Sequence, residues 1–272
     1  MNQEYRVTGG GGVRLWAGEW GNPDGQPILL IHGFMQSHIS WRAQLDSDLA
    51  KEFRLVAIDN RGHGRSEKPE DDAAYQDGQN WADDIAAAIK QLNLDKPVLA
   101  GWSYGGLIML DYCQRYGCGD VAGINFVAAS VRRMTDPNAP APPEYRTKLL
   151  LDDLAARIDG TRTFLRACTN QPVDGETFET WLAFNMLVPA PVRRAMLTRE
   201  LDFDPVLSSL SVPALVTYCT ADNLVPVEMG EHAVAKIHEA QVSIYQDIGH
   251  SPFFEDSARF NRELADFVRS CS

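Results

Sequence analysis

Pro97-Val98-Leu99-Ala100-Gly101-Trp102-Ser103-Tyr104-Gly105-Gly106 is the stretch that decides how this chain folds. Its first half is a short apolar run that reads as a buried strand and breaks at Gly101. After Ser103 the spacing becomes helical, through Leu107, Leu110 and Gln114. A serine at a sharp strand-to-helix turn, with glycine two residues before and two after, has the pattern of a nucleophile elbow. The glycines have a steric purpose: the serine backbone is strained there, and a Cβ at either flanking position would crowd the turn. The turn lifts Oγ clear of the sheet and aims the unpaired N–H groups of the helix start at a reacting atom.

Working outward, residues 5–8 and 13–20 read as two opening strands joined by a hairpin turn at the glycine run 9–12. That run lacks the spacing and the following helix of a phosphate loop. Asn22-Pro23-Asp24-Gly25 marks another turn, and 28–31 is a continuous apolar strand of the kind buried on both faces of a parallel sheet. A helix is expected with Trp41, Leu45 and Leu49 on one face, then a strand at 53–58. Trp81, Ile85, Ala88, Ile89 and Leu92 mark a helix over 81–92, and 124–127 is a further buried strand.

From about residue 131 the pattern changes. Residues 136–143, rich in proline, read as a stiff linker. Beyond it come helical patterns at 149–158, 161–168, 177–187 and 192–201, without strand signals. The sheet rhythm resumes with a strand at 213–219, a helix carrying Ala233, Val234 and Ile237, and a strand at 242–245. A last helix carries Phe260, Leu264, Phe267 and Val268. The chain thus reads as an α/β core, 1–130 and 206–272, with a helical insertion at 131–205.

Composition sets the broad class. The 272 residues suffice for one large α/β domain with an insertion, and 44% hydrophobic and 23% charged residues are ordinary for a globular protein. A formal charge of −12 without basic clusters argues against a nucleic-acid partner. The N-terminus lacks the apolar core of a signal peptide, and no apolar run is long enough to span a membrane. The five cysteines include no C-x-x-C pair. They read as reduced packing thiols of a cytoplasmic protein, in preference to a Cys113–Cys118 disulfide. The six histidines show no metal-ligand spacing, so no metal or cofactor is implied.

Reactive groups on such a sheet belong on loops past the C-terminal ends of its strands. Ser103, Asp222 and His250 all follow expected strands, in the order Ser, Asp, His of a hydrolase triad on this architecture. A serine hydroxyl is a poor nucleophile until a base takes its proton; His250 is the candidate base, and Asp222 the group that orients it. The backbone N–H groups of Phe34 and Tyr104 are the candidate oxyanion donors. Asp247 is too near His250 in sequence to orient it and reads as a turn residue.

These motifs together resemble the α/β-hydrolase superfamily over nearly the whole chain. The resemblance rests on H-G-F at 32–34, D-N-R-G-H-G-R-S at 59–66, G-W-S-Y-G-G at 101–106, A-D-N-L-V-P at 221–226 and G-H-S-P-F-F-E-D at 249–256. It is nearest to small carboxylesterase and lactonase-like members with a helical cap. It implies a mostly parallel eight-stranded sheet with helices on both faces, and a cofactor-free serine hydrolase acting on a carboxylic ester of a small or medium-sized substrate through an acyl-enzyme. A lactonase acting on acyl-homoserine lactone-like substrates and a carbon–carbon bond hydrolase remain as alternatives, followed by a perhydrolase or haloperoxidase-like enzyme and a ligand-binding receptor on the same fold. Acids in this superfamily also occur after an earlier strand, which leaves a second place open for the role given to Asp222. His32 is expected to hold the 32–34 turn, and Asp59, Arg61 and His63 to shape the edge of the site. His38, His232 and His238 are read as helix-surface residues. Trp181, Phe184, Met186 and Leu187, together with Phe253 and Phe254, are candidate pocket residues, although a helix packed on the core would give the same pattern.

Overall fold

The computed structural model describes residues 1–132, 143–199 and 201–271. Eight strands form one sheet: β1 (Gln3–Thr8), β2 (Arg14–Gly21), β3 (Pro27–Ile31), β4 (Arg54–Asp59), β5 (Val98–Trp102), β6 (Gly123–Val127), β7 (Ala214–Cys219) and β8 (Gln241–Tyr245). Their spatial order is β1-β2-β4-β3-β5-β6-β7-β8. β2 pairs antiparallel with both β1 and β4, and every other pairing is parallel. The turn between β1 and β2 is the glycine run expected there, with Gly11 and Gly12 at positive φ.

The central strands are mostly apolar because both faces of the sheet are covered. Leu29, Ile31, Val56, Ile58 and Leu99 point into one core. Ile28, Leu30, Leu55, Ala57, Val98 and Ala100 point into the other. Helices α1 (Gly78–Gln91) and α2 (Tyr104–Tyr116) cover the first face with Trp81, Ile85, Leu107 and Ile108. The C-terminal helix Ser257–Ser270 covers the second with Phe260, Leu264, Phe267 and Val268.

Between β6 and β7 the described residues form no strand. They carry α3 (Glu144–Lys148), α4 (Leu154–Ala167), α5 (Gly175–Met186) and α6 (Ala190–Leu197). The helices expected at 149–158 and 161–168 are a single helix, α4. Asp153 starts it by accepting a hydrogen bond from the Ala156 N–H at 2.8 Å, which leaves Leu149 and Leu150 in the preceding turn. The linker read at 136–143 lies outside the described residues except for Pro143. The helix expected around Trp41, Leu45 and Leu49 is three short pieces, His38–Trp41, Arg42–Leu45 and Leu49–Glu52, although all three side chains are buried as its face required. The Ser47 hydroxyl interrupts it by accepting from the Leu49 N–H at 3.2 Å.

No helix among the described residues is long and apolar enough to cross a membrane. All five cysteines are free thiols.

Candidate active site

Ser103 stands between β5 and α2 at φ 54° and ψ −117°, a conformation costing about 1–3 kcal/mol that persists only where its surroundings enforce it. Three backbone hydrogen bonds of 3.0 Å do so: Ser103 N–H to Val127 O, and Gly106 N–H and Ser130 N–H to Ser103 O. The flanking glycines are required by close approach. A Cβ on Gly101 would stand 2.5 Å from the Met109 methyl and 2.7 Å from Gly105 O, and one on Gly105 would stand 2.5 Å from Ile31 O.

Asp222 follows β7 and His250 follows β8, and the fold brings them together. His250 Nδ1 lies 2.7 Å from Asp222 Oδ2, with both side chains almost wholly buried. Asp222 Oδ1 accepts from the N–H groups of Leu224 and Val225 at 2.8 and 2.9 Å, so the carboxylate is held at one oxygen and offers the other to the imidazole. The Trp102 indole N–H donates to His250 O at 2.8 Å, tying the histidine loop to the strand that carries the elbow.

Ser103 and His250 border one cavity of about 190 Å³. Phe34 and Tyr104 line it beside the serine, and Leu149, Phe164, Leu197, Leu224 and Val225 supply most of the remaining wall. Ser130 and Arg146 complete it. The volume falls below the roughly 300–1,000 Å³ of sites for drug-sized ligands, so the space suits a small one.

Two buried histidines set the turn that carries Phe34. His32 Nε2 accepts from the Asn60 N–H at 3.0 Å, so the proton resides on Nδ1, which donates to Gly33 O at 2.8 Å. His63 is arranged alike: Nε2 accepts from the Met35 N–H at 3.2 Å and Nδ1 donates to Arg61 O at 2.8 Å. Burial depresses both pKa values, to about 4 for His32 and about 3 for His63, which keeps the rings neutral and these bonds intact. Asp59 is buried too, which by itself would raise its pKa. Its hydrogen bond and charge interaction with His38, together with His32 and the Arg65 N–H, outweigh burial and bring it down to about 2. His38 is therefore not the surface residue expected: its ring stacks 4.0 Å from Trp16 and donates to Asp59. His232 likewise pairs with Asp204, at 2.6 Å, whereas His238 is exposed.

None of the six pocket candidates lines the cavity at Ser103. Trp181 and Phe184 pack with Leu165 in a separate apolar cluster, with Phe164 between them and the serine. Phe253 is buried under Trp41 and Trp102, with ring centroids 4.5 and 4.8 Å away. Phe254 meets Trp181 beside a different cavity. Met186 turns toward Arg193, and Leu187 is 56% exposed. Helical spacing shows which residues share a face but not what that face packs against.

Two residues given no role from sequence prove to position the site. Glu255 accepts from the Gly249 N–H at 2.9 Å and from the Asn170 and Gln171 N–H groups at 2.8 and 3.0 Å, which joins the histidine loop to the helical insertion. Arg199 forms a bidentate pair with Asp111 of α2 at 2.6 and 2.7 Å and donates to the Tyr104 hydroxyl at 3.2 Å. Glu255 lay within the quoted motif 249–256, whereas Arg199 carried no sequence signal of its own.

Residues 26–257 match the family described as the alpha/beta hydrolase fold. The chain belongs to that family. Solved structures similar to this α/β hydrolase include a Burkholderia cenocepacia protein assigned as an aryl esterase, at 37% identity and TM-score 0.94 with 99% of each chain covered. The esterase RhEst1 from Rhodococcus sp. ECU1013 is similar at 32% identity and TM-score 0.91, again with 99% of each chain covered. The bifunctional esterase/perhydrolase DCH from Acinetobacter calcoaceticus is 27% identical, over 97% of this chain and 99% of its own. The protein is an esterase-like α/β hydrolase.

Proposed function

We propose that the protein hydrolyses a carboxylic ester of a small substrate through an acyl-enzyme on Ser103. The observation that carries this reading is the strained Ser103 turn opening into the same cavity as His250, whose Nδ1 is held by Asp222 at 2.7 Å. With Nδ1 engaged, Nε2 is the nitrogen left to take the Ser103 proton as Oγ attacks the ester carbonyl. The developing oxyanion is received by the N–H groups of Tyr104, first residue of α2, and Phe34. His250 returns its proton to the departing alkoxide, then activates the water that releases the acid. The helices between β6 and β7 serve as a cap whose residues Leu149, Phe164 and Leu197 face the acyl group.

A panel of p-nitrophenyl esters of two to twelve carbons, run beside a γ-lactone series and Ser103→Ala, tests the reading. Fast turnover of the shortest esters, lost in the variant, is the expected result. Turnover that survives Ser103→Ala, or a protein that cleaves no ester and takes up no fluorophosphonate, overturns it. The DCH relative favours one second reading: hydrogen peroxide replaces water in deacylation and the product is a peracid. Peracid formation from a short carboxylic acid and peroxide would show it.

A further inference from the structure

Arg146 stands apart from the rest of the cavity wall. It lies on α3 and is exposed, yet it borders the same space as Ser103 and His250, which puts its guanidinium at the mouth. Among the described residues its guanidinium has no carboxylate, carbonyl or aromatic partner. The nearest acid on its own helix, Glu144, is taken by Lys148 at 3.0 Å, and Lys148 also holds Asp159 at 2.6 Å. Four other arginines of the insertion are engaged: Arg194 with Asp152, Arg166 over Phe178, and Arg193 and Arg157 with backbone carbonyls. The remaining wall is apolar apart from hydroxyls and His250, so it holds no acid to pair with a guanidinium.

A planar fork of donors in such a place matches a carboxylate. On a chain of formal charge −12, a cation at the rim with no partner among the described residues is a local exception that admits an anion. We infer that the substrate is an ester bearing a second, free carboxylate a few atoms from the scissile carbonyl, held at that end by Arg146. This rests on the reading of the site as an ester hydrolase and names the class of ester it takes.

Monomethyl glutarate and its neutral amide counterpart, methyl glutaramate, differ only in the anion and serve as the probes. Wild type should cleave the acid ester with a kcat/KM about five- to tenfold above the amide, the scale expected for a partly solvated charge pair. Arg146→Ala should erase that ratio, Arg146→Lys should keep part of it, and raising the salt should shrink it in wild type alone. A ratio that ignores both the substitution and the salt overturns the inference. Binding of monomethyl glutarate to the Ser103→Ala protein, with and without Arg146→Ala, separates the two readings. Binding that depends on Arg146 in a protein whose wild type cleaves neither ester sinks the reaction but keeps the carboxylate site. Cleavage of both esters at equal rates, with no such dependence, does the reverse.

Discussion

Two fully buried arginines, Arg61 in a strand-end loop and Arg193 in the helical insertion, are held in opposite ways. Arg61, after β4, meets Asp84 of α1 through two bonds of 2.7 Å and spends its other donors on the carbonyls of Gly10, Ala74 and Asn80. Arg193, in α6, is just as buried, but its ligands are the carbonyls of Val188, Leu149 and Asn185 and the Thr161 hydroxyl. Burial brings its pKa down to about 10. A charge pair fixes one geometry between two elements, whereas Arg193 gathers three stretches: the turn at Leu149, α4 at Thr161 and the end of α5 at Asn185 and Val188. Arg61 thus ties a strand-end loop to α1, while Arg193 ties segments of the insertion to one another.

The largest expected effect lies on the strand-end side. Ser103→Ala should lower kcat on a short p-nitrophenyl ester by about 10⁶-fold while the fold stays intact by circular dichroism. Asp222→Asn should cost on the order of 10⁴-fold by leaving His250 with the wrong tautomer. A loss below tenfold would move the orienting role elsewhere.

Stability separates the two regions directly. Arg61→Met strands Asp84 and should cost about 3–5 kcal/mol of global stability in urea titration. Arg193→Met leaves carbonyls that water can reach once the helices loosen, so about 2–3 kcal/mol is expected. Its first sign should be proteolytic cleavage within 144–199 while the sheet survives. Equal global losses for the two variants would erase the contrast.

Acid should loosen the strand-end loops. The folded pKa values of His32 and His63, about 4 and about 3, lie below the ordinary 6.5. The unfolded chain therefore binds more protons on acidification, so stability is whole above about pH 6.5 and falls as pH drops toward 4 and then 3. Each histidine contributes a slope approaching roughly 1.4 kcal/mol per pH unit within that window. His63→Gln should halve the slope in denaturant midpoints measured across it. The smallest effect is expected at Leu187, which faces solvent: Leu187→Ser should change kcat/KM by less than about twofold and stability by under about 0.5 kcal/mol.

Much of the sheet was legible because buried parallel strands carry a signal in every residue. The run 28–31 is apolar without interruption and 124–127 is broken only by Asn125, and each became a strand within a residue of its expected bounds. Ser103, Asp222 and His250 were legible as candidates for a related reason: each stands in the stretch that follows an expected strand. The break between α3 and α4, the pieces around Trp41 and the partner of His38 were hidden. A local side-chain bond or a distant acid decided them, and neither leaves a periodic trace.

Periodicity and turn chemistry alone determined the α/β architecture, the elbow and the chain order of the three candidate groups, since these depend on contacts near in sequence. Packing between elements far apart in the chain decided the rest: that Phe164 stands where Trp181 was expected, that Glu255 and Arg199 tie the insertion to the core, and that Arg146 reaches the mouth. A helix carries its hydrophobic face with it, but which neighbour that face meets is settled only when the whole chain closes on itself.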